Sequence, residues 1–244
     1  MTNQRKIAVV FVAYGCVPQH RLDDHFKWND AIYRESNATV LVVTDALYEL
    51  MHPNGTQRIL PKTSLPQLDG KVVFSLTKTK NFGVNYVLEY WTDVDVIICT
   101  DVDVAFSPAA WDIMCEVEHG QAIMPVYHLC RDFDNRHQEP SRVDYGMTGT
   151  TAMVAEHWRE IQYDERCVGY GADDGILLRD IQRAGIQLIP PRRKFPIAPV
   201  VWHVDHTLAA VDNVPGGGRP DCWGRAEGFN PDNFEANRKL HDNR

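Results

Sequence analysis

The 244-residue sequence lacks any apolar run that approaches the roughly 20 residues of a membrane-spanning helix. The run Ile7 to Ala13 follows Gln4-Arg5-Lys6 as in a signal peptide, but it ends in Tyr14-Gly15-Cys16 instead of a small-x-small cleavage site. No CxxC pair is present, and the six cysteines are scattered. We therefore predict a first β-strand here, no membrane span, and a cytoplasmic protein with reduced core cysteines.

An excess of positive charge is also missing. The sequence has 25 Lys and Arg against 33 Asp and Glu, for a formal net charge of -8. This balance argues against broad non-specific binding to nucleic acid or to anionic membranes. We find no internal repeat, so the chain is not predicted to be a repeat array.

What is present is an alternation of apolar β-rich runs and amphipathic segments, which is typical of a parallel sheet wrapped in helices. The stretch between His52 and Gly70 is polar and contains proline. Strands are predicted at Ile7–Ala13, Thr39–Thr44, Lys71–Leu76, Val96–Cys99, Ala122–Leu129, Thr148–Val154, Ile186–Ile189 and Val200–Val204, and helices at Leu22–Tyr33, Lys80–Tyr90 and Asp174–Ala184.

Two carboxylates, Asp101 and Asp103, follow the apolar run Val96 to Cys99. The carboxyl ends of strands in open α/β sheets are where ligand crevices form. Paired carboxylates at such an end suit a hard divalent cation that carries a phosphate-bearing ligand. A solvated turn with two ordinary surface acids is the plainer explanation.

Basic residues begin a predicted helix in Lys78-Thr79-Lys80-Asn81-Phe82-Gly83. The free N–H groups and the dipole of a helix start favour an anion. Lys78 is therefore a candidate phosphate contact, although a solvated helix start with a basic edge explains the same pattern.

Two adjacent acids, Asp173 and Asp174, follow the small residues of Gly169-Tyr170-Gly171-Ala172 and open another predicted helix. One of them is explained as a helix N-cap. The other could serve as a general base for a substrate hydroxyl, even with an ordinary pKa of about 4, when proton loss is concerted with attack.

Two imidazoles lie late in the chain, in Trp202-His203-Val204-Asp205-His206. Imidazole is the commonest transition-metal ligand. On a straight strand His203 and His206 face opposite sides, so both reach one ion only if the strand ends in a turn. A lone His is usually structural, but for this pair we interpret at least one as a ligand.

A strand followed by Asp-x-Asp also opens the haloacid-dehalogenase-type phosphatases, in which the first Asp is the nucleophile. That chemistry normally needs a Lys between the two acidic motifs, and the sequence has none between Lys80 and Lys194. The nucleophile would also follow three strands, whereas it normally ends the first. We therefore disfavour a phosphatase.

With these motifs together, the sequence resembles the metal-dependent glycosyltransferases of the GT-A fold, and within them the inverting β-1,4-galactosyltransferase group. The resemblance extends from Ile7 to His206 and is carried by short motifs. The family's Asp-Val-Asp, Lys-x-x-Asn-x-Gly and Gly-Trp-Gly-Gly-Glu-Asp motifs match Asp101–Asp103, Lys78–Gly83 and Gly169–Asp174.

The resemblance implies a role for each matched residue. Asp174 is implied as the catalytic base and Asp173 as the residue that holds the acceptor. The implied ligands of Mn²⁺ or Mg²⁺ are Asp103, with Asp101 beside it, and His203 and His206. The implied contacts of the nucleotide-sugar donor, expected to be a UDP-sugar, are Ala13, Tyr14, Asp45, Lys78, Asn81 and Asp101, with Trp223 stacking on a sugar ring.

Departures from the family lie in the acceptor region, where Tyr170, Ala172 and Asp173 replace Trp, Gly and Glu. The family's acceptor is therefore not carried over. A saccharide, a lipid, a protein side chain or a modified nucleobase each offers a suitable hydroxyl. Without an evident membrane anchor or disulfide framework, we do not expect the family's Golgi location.

The implied fold is α/β, a GT-A or Rossmann-like mixed, mostly parallel sheet flanked by helices. We expect a domain over residues 1–207, with a nucleotide-binding half (1–106) and an acceptor- and metal-completing half (107–207), and a loop and tail over 208–244 that closes over the site. Two further classes of protein stay open. A sugar nucleotidyltransferase normally has a Gly-rich basic loop after its first strand, which Tyr14–Pro18 is not, and a non-catalytic carbohydrate-binding module needs none of these acids.

Overall fold

The computed structural model describes residues 5–13, 17, 19–44, 47–50, 52–68, 71–72, 75–130, 134, 142–144, 149–167, 173–189, 200–204 and 238–240. The strands are β1 (Ile7–Ala13), β2 (Thr39–Thr44), β3 (Gly55–Ile59), β4 (Gln67–Leu68), β5 (Lys71–Val72), β6 (Val96–Asp101), β7 (Val104–Phe106), β8 (Gln121–Ile123), β9 (Val126–Cys130), β10 (Arg142–Asp144), β11 (Thr151–Val154), β12 (Gln187–Ile189) and β13 (Val200–Val204). The helices are α1 (Gln19–Glu35), α2 (Leu76–Tyr90), α3 (Pro108–Cys115), α4 (Ala155–Glu160) and α5 (Asp173–Arg183).

A large sheet has the strand order β12-β8-β11-β6-β1-β2-β3 within the described part of the chain. The strand β1 runs parallel to β2 on one side and to β6 on the other, whereas β11 is antiparallel to both of its neighbours. Every residue of β1 is buried, as its unbroken apolar run predicts. The predicted mixed, mostly parallel α/β sheet is confirmed.

Helices cover both faces of this sheet, because successive side chains of each strand point to opposite sides. From β1, Val9 and Phe11 belong to the same core cluster as apolar residues of α1 and α3, whereas Val10 belongs to the cluster that contains apolar residues of α2 and α5. The glycine of the helix-start motif, Gly83, lies where α2 crosses the sheet, and a Cβ there would be 2.4 Å from Val10 Cγ1. Close packing of α2 on β1 therefore requires glycine at this position.

A second, smaller sheet has the order β10-β9-β13-β7 among the described residues, and the sequence did not predict it. The strand β13 pairs antiparallel with β7 and parallel with β9, which sets His203 opposite Val104. Chain continuity links the two sheets, since β6 ends at Asp101 in the large sheet and β7 begins at Val104 in the small one.

Several predicted boundaries were wrong. The run Lys71–Leu76 was predicted as a strand. Among its described residues Lys71–Val72 is a strand, but α2 begins at Leu76, because Ser75 Oγ caps the helix by accepting from the backbone N–H of Lys78. The run Ala122–Leu129 is two strands that belong to different sheets. The polar stretch between His52 and Gly70, for which no strand was predicted, includes the edge strand β3, whose side chains are mostly polar.

The helices α3 and α4, of eight and six residues, were not predicted. Among the described helices, none is both long and apolar enough to cross a membrane.

Candidate active site

The two acids of the Asp-Val-Asp motif lie at the carboxyl end of β6, as predicted, but their side chains meet different partners. The Asp101 Oδ1 atom is 3.1 Å from Lys80 Nζ, and the Asp103 Oδ1 atom is 3.4 Å from His203 Nε2. The motif therefore divides into two neighbouring halves. One carboxylate pairs with a buried amine and the other with an imidazole.

The contact between Asp103 and His203 joins residues that are 100 positions apart in the chain. Asp103 is 5% exposed, and the antiparallel pairing of β13 with β7 brings His203 beside it. The His203 ring stacks on Tyr127 with 5.1 Å between ring centroids, and the Tyr127 hydroxyl bonds to Thr150 Oγ1 at 2.8 Å. The imidazole is thus held in a fixed orientation next to the carboxylate.

This carboxylate and imidazole are the donor types that manganese accepts. Within the described residues, no group of three His, Cys, Asp or Glu side chains could hold a metal ion. The predicted partner His206 lies outside them. Asp101, which was also predicted as a ligand, pairs with Lys80 through Oδ1, and its role at the metal stays a prediction.

Lys80 is completely buried, which is rare for lysine and requires compensation. Its Nζ donates to the carbonyl of Gly149 at 2.9 Å, pairs with Asp101, and lies 5.1 Å from the centroid of the Tyr163 ring. Burial alone lowers the pKa of Lys80, but the Asp101 carboxylate, Tyr163 and Asp174 together raise that pKa well above its usual value. The site therefore contains a permanent positive charge.

The sequence motif around Lys80 gave no function for this residue. A signal was present, since Lys80, Val84 and Val87 share one helical face and both valines are fully buried. A lysine in an apolar stripe indicates a buried counter-charge.

The two adjacent acids open α5, as predicted. Asp173 is 4% exposed, and Asp174 is partly buried and accepts a hydrogen bond from the backbone N–H of Gly149. Burial raises the pKa of Asp174 to about 7, the charges of Asp173 and Asp101 add to this, and Lys80 opposes it. The pKa of Asp174 is therefore higher than the value of about 4 assumed from the sequence, because burial at the start of α5 disfavours the charged carboxylate.

Gly149 connects these groups, and sequence reasoning missed it. Its carbonyl accepts from Lys80, its N–H donates to Asp174, and a Cβ at this position would be 1.7 Å from Asp101 Oδ2. Only a residue without a side chain lets the backbone touch all three charged groups. The contact between Lys80 and Gly149 joins distant parts of the chain, so no local sequence pattern predicts it.

Two residues that were predicted to contact the donor make contacts within the protein. Asn81 is 2% exposed, and its amide donates to the Tyr163 carbonyl at 2.9 Å and accepts from the Tyr163 N–H at 3.0 Å. Asn81 thus joins α2 to residues 163–165, and its contact with the donor stays a prediction. The Ala13 side chain is wholly buried in the core, so its predicted contact with the donor would be through the backbone.

Of the other residues predicted to contact the donor or the metal, Lys78 is described by the structure and four are not. Lys78 is partly buried on the first turn of α2. The segment Gly169–Ala172 lies outside the described residues. So do four predicted site residues, which are Tyr14, Asp45, His206 and Trp223.

No family profile matches the sequence, and no curated protein sequence is significantly similar to it. The fold does match solved structures. The catalytic domain of Drosophila β-1,4-galactosyltransferase 7 with xylobiose is similar at a TM-score of 0.52 and 13% identity, over 82% of this chain and 71% of that chain. The fold of the chain is GT-A.

An Asp-to-Asn variant of that galactosyltransferase, in complex with manganese, UDP-Gal and xylobiose, has a TM-score of 0.51 at 13% identity over the same shares, 82% and 71%. A mannosyltransferase from Pyrobaculum calidifontis, in complex with GDP-Man and Mn²⁺, has a TM-score of 0.48 at 15% identity, over 83% of this chain and 58% of that chain. In this GT-A fold the Asp103–His203 contact and the Lys80–Asp101 ion pair both lie at the carboxyl end of β6.

Proposed function

We propose that the chain is an inverting glycosyltransferase that moves a sugar from a nucleotide-diphosphate donor, a UDP-sugar, to an acceptor hydroxyl with the help of Mn²⁺ or Mg²⁺. The observation that carries the proposal is the 3.4 Å contact between Asp103 and His203, two residues from distant parts of the chain that meet where α/β sheets bind ligands. Similarity of the fold to a galactosyltransferase bound to manganese and UDP-Gal supports it.

The donor set fits such a metal. Asp103 supplies a carboxylate oxygen and His203 an imidazole nitrogen, and His206 is the proposed third protein ligand. Ions of this kind are often held by one or two carboxylates, with water and substrate phosphates as the other ligands. When bound, the metal would neutralise the charge that develops on the leaving diphosphate.

Asp174 is the proposed base. A pKa of about 7 lies near the usual operating pH, where a general base combines a useful deprotonated fraction with a real affinity for the proton. The acceptor oxygen forms a bond to the anomeric carbon while the bond from that carbon to the diphosphate oxygen breaks. Asp174 takes the hydroxyl proton, and Asp173 holds the acceptor.

Calorimetry against a panel of nucleotide sugars, with and without Mn²⁺, tests the donor. We expect metal-dependent binding of a UDP-sugar and slow release of UDP. Asp103→Ala should lose metal-dependent binding, whereas Asp174→Asn should keep it and lose at least about 100-fold in transfer. The matched control is Asp112→Ala, an exposed acid on α3.

The outcomes separate this function from its rivals. Release of pyrophosphate from a nucleotide triphosphate would instead support a sugar nucleotidyltransferase. Saccharide binding that needs neither metal nor nucleotide would support a non-catalytic carbohydrate-binding module. Full transfer by Asp174→Asn would remove that residue as the base.

A further inference from the structure

The helix α1 presents two fully buried polar side chains, His25 and Asn29, to the segment that carries Asp103. They are four positions apart and therefore lie one turn apart on one face of the helix. Leu22 and Phe26, on neighbouring positions of α1, pack in the apolar core as expected. Burying a histidine and an asparagine among apolar residues costs free energy unless each is hydrogen-bonded.

His25 bonds to the residue just before Asp103. Its Nδ1 atom is 3.0 Å from the carbonyl oxygen of Val102, and its Nε2 atom is 2.8 Å from the Tyr33 hydroxyl. A carbonyl can only accept, so Nδ1 carries the hydrogen and Nε2 accepts from Tyr33. Burial lowers the pKa of His25 to about 4, so the ring is neutral at physiological pH and this tautomer is fixed.

Asn29 bonds to the residues that follow Asp103. Its amide nitrogen donates to the carbonyl of Val104 at 2.9 Å, and its amide oxygen accepts from the N–H of Phe106 at 3.0 Å. Because β7 is the last strand of the small sheet in the described chain, Asn29 occupies the position of a further strand. Backbone on both sides of Asp103 is thus fastened to α1.

We propose that His25 and Asn29 are positioning residues that fix the backbone on either side of Asp103 and so direct its carboxylate toward His203. This inference rests on the proposed function, since it gives α1 a part in holding the metal. The side chains act only through the backbone of residues 102–106 and touch neither donor nor acceptor. Outer-shell residues of this kind typically change metal affinity 10–100-fold when they are replaced.

The first test measures Mn²⁺ binding alone, from the electron paramagnetic resonance signal of free Mn²⁺, on the full chain. Asn29→Leu keeps the approximate shape of the side chain and loses both bonds, and we expect its Kd for Mn²⁺ to rise about 10-fold or more. The matched control is Tyr33→Phe, which removes one buried hydrogen bond from the same network but leaves residues 102–106 untouched. Its Kd should stay within about 3-fold of wild type.

A second pair of variants guards against general destabilisation. In His25→Asn the amide can replace Nδ1 and still donate to Val102, whereas in His25→Gln it can reach Tyr33 but not Val102. We expect Mn²⁺ affinity to be kept in the first and weakened about 10-fold in the second, at similar urea midpoints. A merely structural role would lower both midpoints alike and leave both affinities unchanged.

The results distinguish this inference from the proposed function. If wild type binds Mn²⁺, Asp103→Ala does not, and folded Asn29→Leu and His25→Gln bind as wild type does, the positioning role is wrong and the metal site stands. If wild type itself fails to bind Mn²⁺, with or without UDP, both the metal site and the positioning role are overturned.

Discussion

Asp101 and Asp103 differ by two positions in the chain, yet their electrostatic surroundings are opposite. Asp101 lies 3.1 Å from the buried ammonium group of Lys80. Asp103 faces an imidazole, which neutralises it only when protonated. Because Lys80 pairs with Asp101, we assign the proposed cation to Asp103.

Asp174 is the residue for which the structure predicts a pH dependence. Its pKa is about 7 in the folded chain and about 4 when unfolded. Between these values the folded chain holds a proton that the unfolded chain has released. The free energy of unfolding therefore falls as pH rises from about 4 to about 7, and the full cost is present above pH 7.

Replacing the Asp174 carboxylate should remove this fall in the free energy of unfolding at high pH. We expect Asp174→Asn to match wild type near pH 4 and to exceed it at pH 8 by at least about 1 kcal/mol, since one pKa unit corresponds to about 1.4 kcal/mol. Urea unfolding at both pH values measures this. In wild type, kcat/KM should fall below about pH 7 as the base is protonated. A stability difference that does not change with pH would contradict the raised pKa.

At the scale of elements, the segment before β11 is held by charge contacts through Gly149. A methyl group there would overlap Asp101 Oδ2, so either Asp101 must leave Lys80 or the backbone must move. We expect Gly149→Ala to destabilise the protein by about 2 kcal/mol and to reduce transfer strongly. Urea unfolding and initial rates measure the two effects.

A control for this substitution is Gly185→Ala. Gly185 has a φ of 76° and nothing within 4 Å of its would-be Cβ, so the change adds backbone strain without a clash. We expect a loss of about 1 kcal/mol with transfer unchanged. Equal loss of activity in both variants would mean that the contact with Asp101 is unimportant.

The elements that the sequence predicted well are those with a strong local pattern. The strands β1 and β2 are continuous buried runs, and α5 has an apolar stripe that ends before a glycine with positive φ. The small sheet could not be predicted, because its strands have three to five residues and their partners lie far away in the chain. Pairing between β7 and β13 is a property of the whole fold.

The same distinction applies to the site. Motif spacing was enough to select Asp103, His203 and the two acids at the start of α5. It could not show that Asp101 pairs with Lys80, because that contact depends on how α2 packs against β6. The hydrogen bonds of Asn81 could not be predicted for a related reason, since its partner Tyr163 is 82 positions away.

At the scale of the molecule, the proposed metal site lies where the two sheets join. Asp103 follows β6 of the large sheet, and His203 belongs to β13 of the small one. A ligand that needs both residues is therefore bound only when the sheets are correctly joined, and its binding free energy adds to the stability of the whole chain.

The Mn²⁺–UDP complex, at about 100 times its Kd, should add about 2.7 kcal/mol to the free energy of unfolding. For a chain of this length that corresponds to a rise of about 5–10 °C in Tm, which differential scanning fluorimetry measures. Asp103→Ala and His203→Ala should each lose most of this rise, because each removes one sheet's contribution. Asp174→Asn should keep it, since the base is not needed for binding.

His119→Ala provides the control, because His119 is an exposed imidazole that pairs with Glu156, away from both sheets' junction residues. In a buffer without chelators, His119→Ala should show the same rise in Tm as wild type. A full rise in both Asp103→Ala and His203→Ala would mean that Mn²⁺ and UDP bind elsewhere. A rise lost in only one of them would show that a single sheet holds the metal, and that the joining of the two sheets serves packing alone.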